Sequence, residues 1–106
     1  MTYANLKTSL ETLTTEVYRW AAPAGKTRYI VLRKYGYSLI RGDDSGVGRF
    51  PRVQLDVYWQ AEDDELLDDV LDLLDANSVG YDLQDTVWDD DLALFRGIIT
   101  MELMPG

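Results

Sequence analysis

Arg52–Gln60 (RVQLDVYWQ), and Glu62–Ala76 (EDDELLDDVLDLLDA) just after it, decide the fold. In the first piece Val53, Leu55, Val57 and Trp59 alternate with Arg52, Gln54, Asp56 and Tyr58, the two-residue period of a strand with one buried face. In the second, Leu66, Leu67, Val70, Leu71 and Leu74 recur at helical spacing and form a single apolar stripe. Asp63, Asp64 and Glu65 stand in its first turn, where the helix macrodipole favours negative charge, and Asn77 and Gly80 supply a stop. A half-buried strand running into an amphipathic helix places the chain in the α+β class.

Working outward, Tyr3, Leu6, Leu10, Leu13 and Val17 predict a helix over Tyr3–Thr14, after which β-branched Thr14 and Thr15 weaken its continuation. Glu16–Ala21 and Thr27–Lys34 read as strands, and the turn residues Ala22-Pro23-Ala24-Gly25 between them predict a hairpin. Gly36–Gly48 (GYSLIRGDDSGVG) has the glycines and polar residues of a surface loop, with a short extended piece at Tyr37–Ile40. Gly80–Trp88 and Leu92–Leu103 read as a closing hairpin around Asp89-Asp90-Asp91, with Phe95, Ile99, Met101 and Leu103 on one face. The expectation is a single domain over residues 1–106 in the order α-β-β-β-α-β-β. It would be an antiparallel sheet of four to five strands with both helices on one face.

Composition narrows the chemistry. At 106 residues, 46% hydrophobic and 27% charged, the chain matches one globular domain. No apolar run reaches membrane-spanning length, and Met1–Trp20 reads as a helix entering a strand, with none of the order of a secretory leader; we expect synthesis inside the cell and no membrane partner. Cysteine and histidine are absent, which removes disulfides, thiolate nucleophiles, sulfur or imidazole metal ligands and the commonest general base. A non-enzyme is expected. The formal charge of −9 is unevenly spread: residues 1–53 hold nine Lys/Arg against four Asp/Glu, and residues 54–106 hold one against fifteen. Either the two halves neutralise each other within the fold, or a basic and an acidic face let copies join head to tail.

Several short patterns carry little. Gly25-Lys26-Thr27 lacks the upstream glycine of a phosphate-binding loop, where Trp20 stands, and leads into a strand instead of a helix. Arg41-Gly42-Asp43 is a tripeptide without extracellular context. Asp82, Asp85 and Asp89-Asp90-Asp91 offer oxygen ligands without the spacing of a calcium loop and read first as a polar turn. The acidic helix is more informative. Its eight carboxylates from Glu62 to Asp75 have no Lys or Arg among them, so they call for a basic neighbour or a solvated face. Nucleic acid would be repelled there, although a passage through which DNA slides without sticking would gain from that repulsion. Of the many aromatic residues most belong to the core, while a minority, Tyr58 and Trp88 among them, are candidate interface anchors.

The segment order resembles that of the tail-terminator, or tail-completion, proteins of long-tailed bacteriophages and prophages. The likeness covers nearly the whole chain: the N-terminal helix, VYRWAAPAG, the strand RYIVLRKY with Pro23 and Gly25 before Tyr29-Ile30-Val31, the glycine-rich loop, Val53–Tyr58, the acidic helix and the last hairpin. It implies a structural virion-tail protein with no cofactor, assembled in the bacterial host cytoplasm. Its copies, usually six, would form a ring that caps the tail tube and joins it to the head. The implied partners are its own copies, the tail tube protein and the head-tail connector protein, with DNA passing through the lumen unbound. In such a ring Arg41, Arg49 and Arg52 are candidates to meet a neighbour's Asp63, Asp64, Asp68 and Asp72. A different class, a small acidic inhibitor that mimics nucleic acid on a basic host protein, uses the same carboxylates; a metal-dependent enzyme built on the aspartates ranks third.

Overall fold

The computed structural model describes residues 1–39 and 49–105. In chain order its elements are α1 (Tyr3–Leu10), β1 (Val17–Arg19), β2 (Tyr29–Leu39), β3 (Arg49–Trp59), α2 (Leu66–Ala76), β4 (Tyr81–Asp89) and β5 (Leu94–Glu102). One sheet runs β1-β2-β3-β5-β4 in space. Val53, Leu55, Val57 and Trp59 of β3 join Ile30 and Leu32 of β2 and Ile99 and Met101 of β5 on one face. Leu6 and Leu10 of α1 and Leu66, Val70 and Leu74 of α2 cover them, so both helices pack on that face and the core lies between the layers.

The sheet is mixed, which corrects the antiparallel expectation. β1 pairs in parallel with β2, in the register Val17↔Ile30, Tyr18↔Val31 and Arg19↔Leu32. The Pro-Gly stretch makes no hairpin. Instead residues 20–28 carry the chain back across the helix-free face, where Ala22 packs against Tyr29, Val31 and Leu94. β3 pairs antiparallel with both β2 and β5, and β5 pairs antiparallel with β4. The last hairpin therefore enters the sheet through its second strand, leaving β4 at the edge.

Helix ends differ from their sequence bounds for local reasons. Thr2 caps α1, accepting from Asn5 N at 3.2 Å. The helix stops at Leu10, where the Thr12 hydroxyl donates to Ser9 O at 2.6 Å and Leu13 N donates to Leu10 O at 2.9 Å, a tighter turn that competes with helical bonding. α2 begins at Leu66 and not at Glu62, because Asp64 turns back: its amide donates to Ala61 O at 3.0 Å and its Oδ1 accepts from Leu66 N at 2.9 Å. At the other end Ser78 takes the left-handed conformation, φ 56°, while Asn77 Nδ2 donates to Leu73 O at 2.8 Å. β2 continues past Lys34 to Leu39, so the extended piece expected from Tyr37 is the end of this strand; the rest of the expected glycine-rich loop, residues 40–48, lies outside the described residues.

Candidate interaction surfaces

β3 places Asp56 on the helix-free face, opposite Val31 of β2 and Ile98 of β5. The neighbouring strands fold two arginines over it, and β3 itself adds Gln54. Arg33 and Arg96 each bring Nη2 to 3.1 Å from Oδ2, and Gln54 Nε2 donates to Oδ1 at 3.0 Å. Asp56 is only 3% exposed although neither α1 nor α2 covers this side. Beside it Tyr29 stacks on Tyr58, with ring centroids 4.5 Å apart, and Arg96 lies over the Tyr58 ring at 5.7 Å. Burial raises the Tyr58 phenol pKa above its ordinary value, with Arg96 acting in the opposite direction. The result is a second, small packed cluster on what would otherwise be a bare sheet face. Further along, Tyr35, Arg52, Asp82, Thr100 and Glu102 line a polar groove, where Arg52 lies over the Tyr35 ring at 5.0 Å.

α2 presents its carboxylates outward. Asp68 and Asp72 are exposed, and among the described residues no Lys or Arg stands within ion-pair distance of Asp68, Asp69, Asp72 or Asp75. Arg28, just before β2, reaches the helix entrance: its Nε donates to Asp64 Oδ2 at 2.8 Å. Arg33 is taken up by Asp56, and Lys34 lies over the rings of Tyr3 and Tyr37. Thus, among the described residues, the basic and acidic halves of the chain form ion pairs at that entrance and at Arg33–Asp56, and leave the rest of α2 unneutralised.

Of the residues singled out from the sequence, Asp63, Asp68 and Asp72 lie exposed on or beside α2, whereas Asp64 is held by Arg28 of its own chain. Arg49 and Arg52 are exposed on β3, and Arg41 lies outside the described residues together with the Asp43-Asp44 loop. Tyr58 belongs to the aromatic stack, and Trp88 is 49% exposed with its ring edge-on to Phe95 at 4.9 Å. Within one copy the fold brings neither Arg49 nor Arg52 to ion-pair distance of the helix carboxylates. Among the described residues no group of three or more carboxylates is close enough to hold a metal ion; Asp89 Oδ1 instead accepts from Leu92 N at 3.0 Å and closes the hairpin turn.

Sequence reasoning missed Asp56 with its two arginines, and it missed Trp20. Trp20 sits at φ 71° and is 61% exposed, in a tight turn where Ala21 N donates to Arg19 O at 2.9 Å. A bulky residue at positive φ is strained and persists only where its surroundings hold it. Asp56 did leave a trace: it is the one acid in the clearest strand of the sequence.

No helix among the described residues is long and apolar enough to cross a membrane. No protein-family model and no curated protein matches the sequence. Among solved structures, the fold is similar to a chain of the "Virion of native gene transfer agent (GTA) particle", with a TM-score of 0.51 and 15% identity, over 90% of this chain and 84% of that one.

Proposed function

We propose that this protein is a structural subunit of a phage-like virion: a tail terminator whose copies close into a ring, cap the tail tube and meet the head connector, with DNA passing through the lumen. The observation that carries this reading is the likeness of fold to a chain of a virion particle, which spans nine-tenths of the sequence. Two features support it independently. The chain has neither histidine nor cysteine, so the usual proton-transfer and thiolate chemistry is missing. The carboxylates of α2 find no partner among the described bases of their own copy, as a subunit shaped for a basic neighbour would leave them. In that ring Arg41, Arg49 and Arg52 meet Asp63, Asp68 and Asp72 of the next copy. Asp64 drops from the pairing because its own Arg28 occupies it. Native mass spectrometry with negative-stain electron microscopy tests the reading. It predicts a closed ring of fixed subunit number; a chain that stays monomeric and binds a basic host protein one to one would establish the acidic-inhibitor alternative instead.

A further inference from the structure

The two edges of the sheet are unlike. β4 forms one of them, with every residue from Asp82 to Trp88 exposed and no strand on its outer side among the described residues. It carries Asp82, Asp85 and Asp89 and no base. Between those acids stand Leu83, Val87 and Trp88, large apolar side chains left in solvent. A long exposed strand of this kind is an open template for another strand.

The opposite edge is only partly closed. β1 covers β2 for three positions, up to Arg19↔Leu32. At Trp20 the strained turn sends the chain out of the sheet, so from Lys34 to Ser38 the outer side of β2 has no strand beside it among the described residues. β1 and β2 hold no carboxylate; Arg33 is taken up by Asp56, while Arg19 and Lys34 have no carboxylate within ion-pair distance among the described residues. Tyr35 and Tyr37 are each 47% exposed here, and the Trp20 ring projects at the corner.

Pairing like with like would set carboxylate against carboxylate or base against base, whereas acidic β4 against basic β2 is complementary. We infer that β4 of one copy lies along the open half of β2 in the next, so that the sheet continues head to tail around the ring. This rests on the ring reading above and adds the surface that makes it. A contact between two different edges of identical chains is heterologous; it gives a ring where the rotation between copies closes and an open filament where it does not. Backbone groups supply the attraction, as in strand addition generally, and side chains choose the partner. Each edge carries one irregularity, at Tyr35 in β2 and at Gln84 in β4, which hinders pairing with an arbitrary strand.

The absence of native cysteine makes the contact directly testable. Tyr35→Cys or Tyr37→Cys is combined in one chain with Leu83→Cys, Asp85→Cys or Val87→Cys, the assembled protein is oxidised, and the products are separated without reductant. At least one combination gives a ladder of linked copies ending at the ring number, while single substitutions give none. Hydrogen exchange on the unmodified chain reports the same contact, with β4 amides at least tenfold slower in the ring than in the dissociated subunit. A ring in native mass spectrometry with no ladder from any combination and unprotected β4 amides overturns the edge contact and leaves the ring standing. A chain that stays monomeric overturns both.

Discussion

Arg96 Nη2 lies 3.1 Å from Asp56 Oδ2, and that carboxylate is buried on the face of the sheet that carries no helix. Arg33 reaches the same oxygen at the same distance. Removing the carboxylate leaves two guanidiniums facing each other over a partly desolvated strand, the situation in which breaking a buried pair costs about 3–5 kcal/mol. Asp56→Ala should therefore lower the urea-unfolding free energy by about 3 kcal/mol, near the bottom of that range because both arginines keep some contact with water. Replacing all three groups, Arg33→Met with Asp56→Leu and Arg96→Met, should recover most of the loss. A cost under about 1 kcal/mol for Asp56→Ala would mean that the Tyr29–Tyr58 stack alone orders this face.

At Gly97 of β5 the Leu67 side chain of α2 packs directly on the sheet backbone. A Cβ on it would stand 2.9 Å from Leu67 Cδ1 and 3.5 Å from Trp59 Cζ3. The first neighbour is the tip of a flexible side chain, and the second is a ring held by stacking on Phe95 at 5.7 Å. Gly97→Ala should cost about 1 kcal/mol and Gly97→Val about 3, measured by denaturant unfolding, as overpacking does. Leu67→Ala should absorb part of the Gly97→Val cost, so the two together lose less than their sum. Strict additivity would mean that the helix shifts away as a body instead.

The central pieces were legible because burial is periodic. Val53, Leu55, Val57 and Trp59 are all buried, as their alternation implies, and Leu66, Val70 and Leu74 form the inner face of α2. Pairing direction has no such signature. A turn rich in Pro and Gly fits a hairpin and a crossover equally, and the outcome hung on Trp20 adopting a backbone conformation that its side chain disfavours. The place of β5 between β3 and β4 depends on contacts far apart in sequence. Asp56 fell on the polar phase of a strand, and nothing local announces that two arginines from other strands will bury it.

Acid should expose the Arg28–Asp64 pair. The hydrogen bond from the Arg28 guanidinium holds the Asp64 carboxyl below its ordinary value of 3.8; desolvation opposes this, and the Leu66 amide adds to the lowering. A carboxyl with a lower pKa folded than unfolded stabilises the fold above the unfolded value. That stability is lost as pH falls through the lower folded one. Urea midpoints followed from about pH 5 to pH 2 should fall less steeply for Arg28→Ala than for the unmodified chain. Parallel curves would show that Arg28 contributes nothing specific to the entrance of α2.

The outer carboxylates of α2 make a prediction with opposite signs for the subunit and for the ring. Asp68 and Asp72 are one helical turn apart, with no base in the last turn to oppose the macrodipole. Asp72→Lys should remove that repulsion, form an i,i+4 pair with Asp68 and raise the stability of the isolated subunit by about 0.5–1 kcal/mol in thermal or urea unfolding. If the same carboxylates meet Arg49 and Arg52 of the next copy, the substitution should at the same time weaken the ring. Native mass spectra would then move toward free subunits at moderate salt. Arg49→Glu with Arg52→Glu should weaken the ring in the same way, and a chain carrying these together with Asp68→Lys and Asp72→Lys should regain it, since the attraction is restored with its signs exchanged. A ring that ignores every one of these reversals, and whose mass distribution does not change with salt, would confine the subunit contact to surfaces other than α2 and the start of β3.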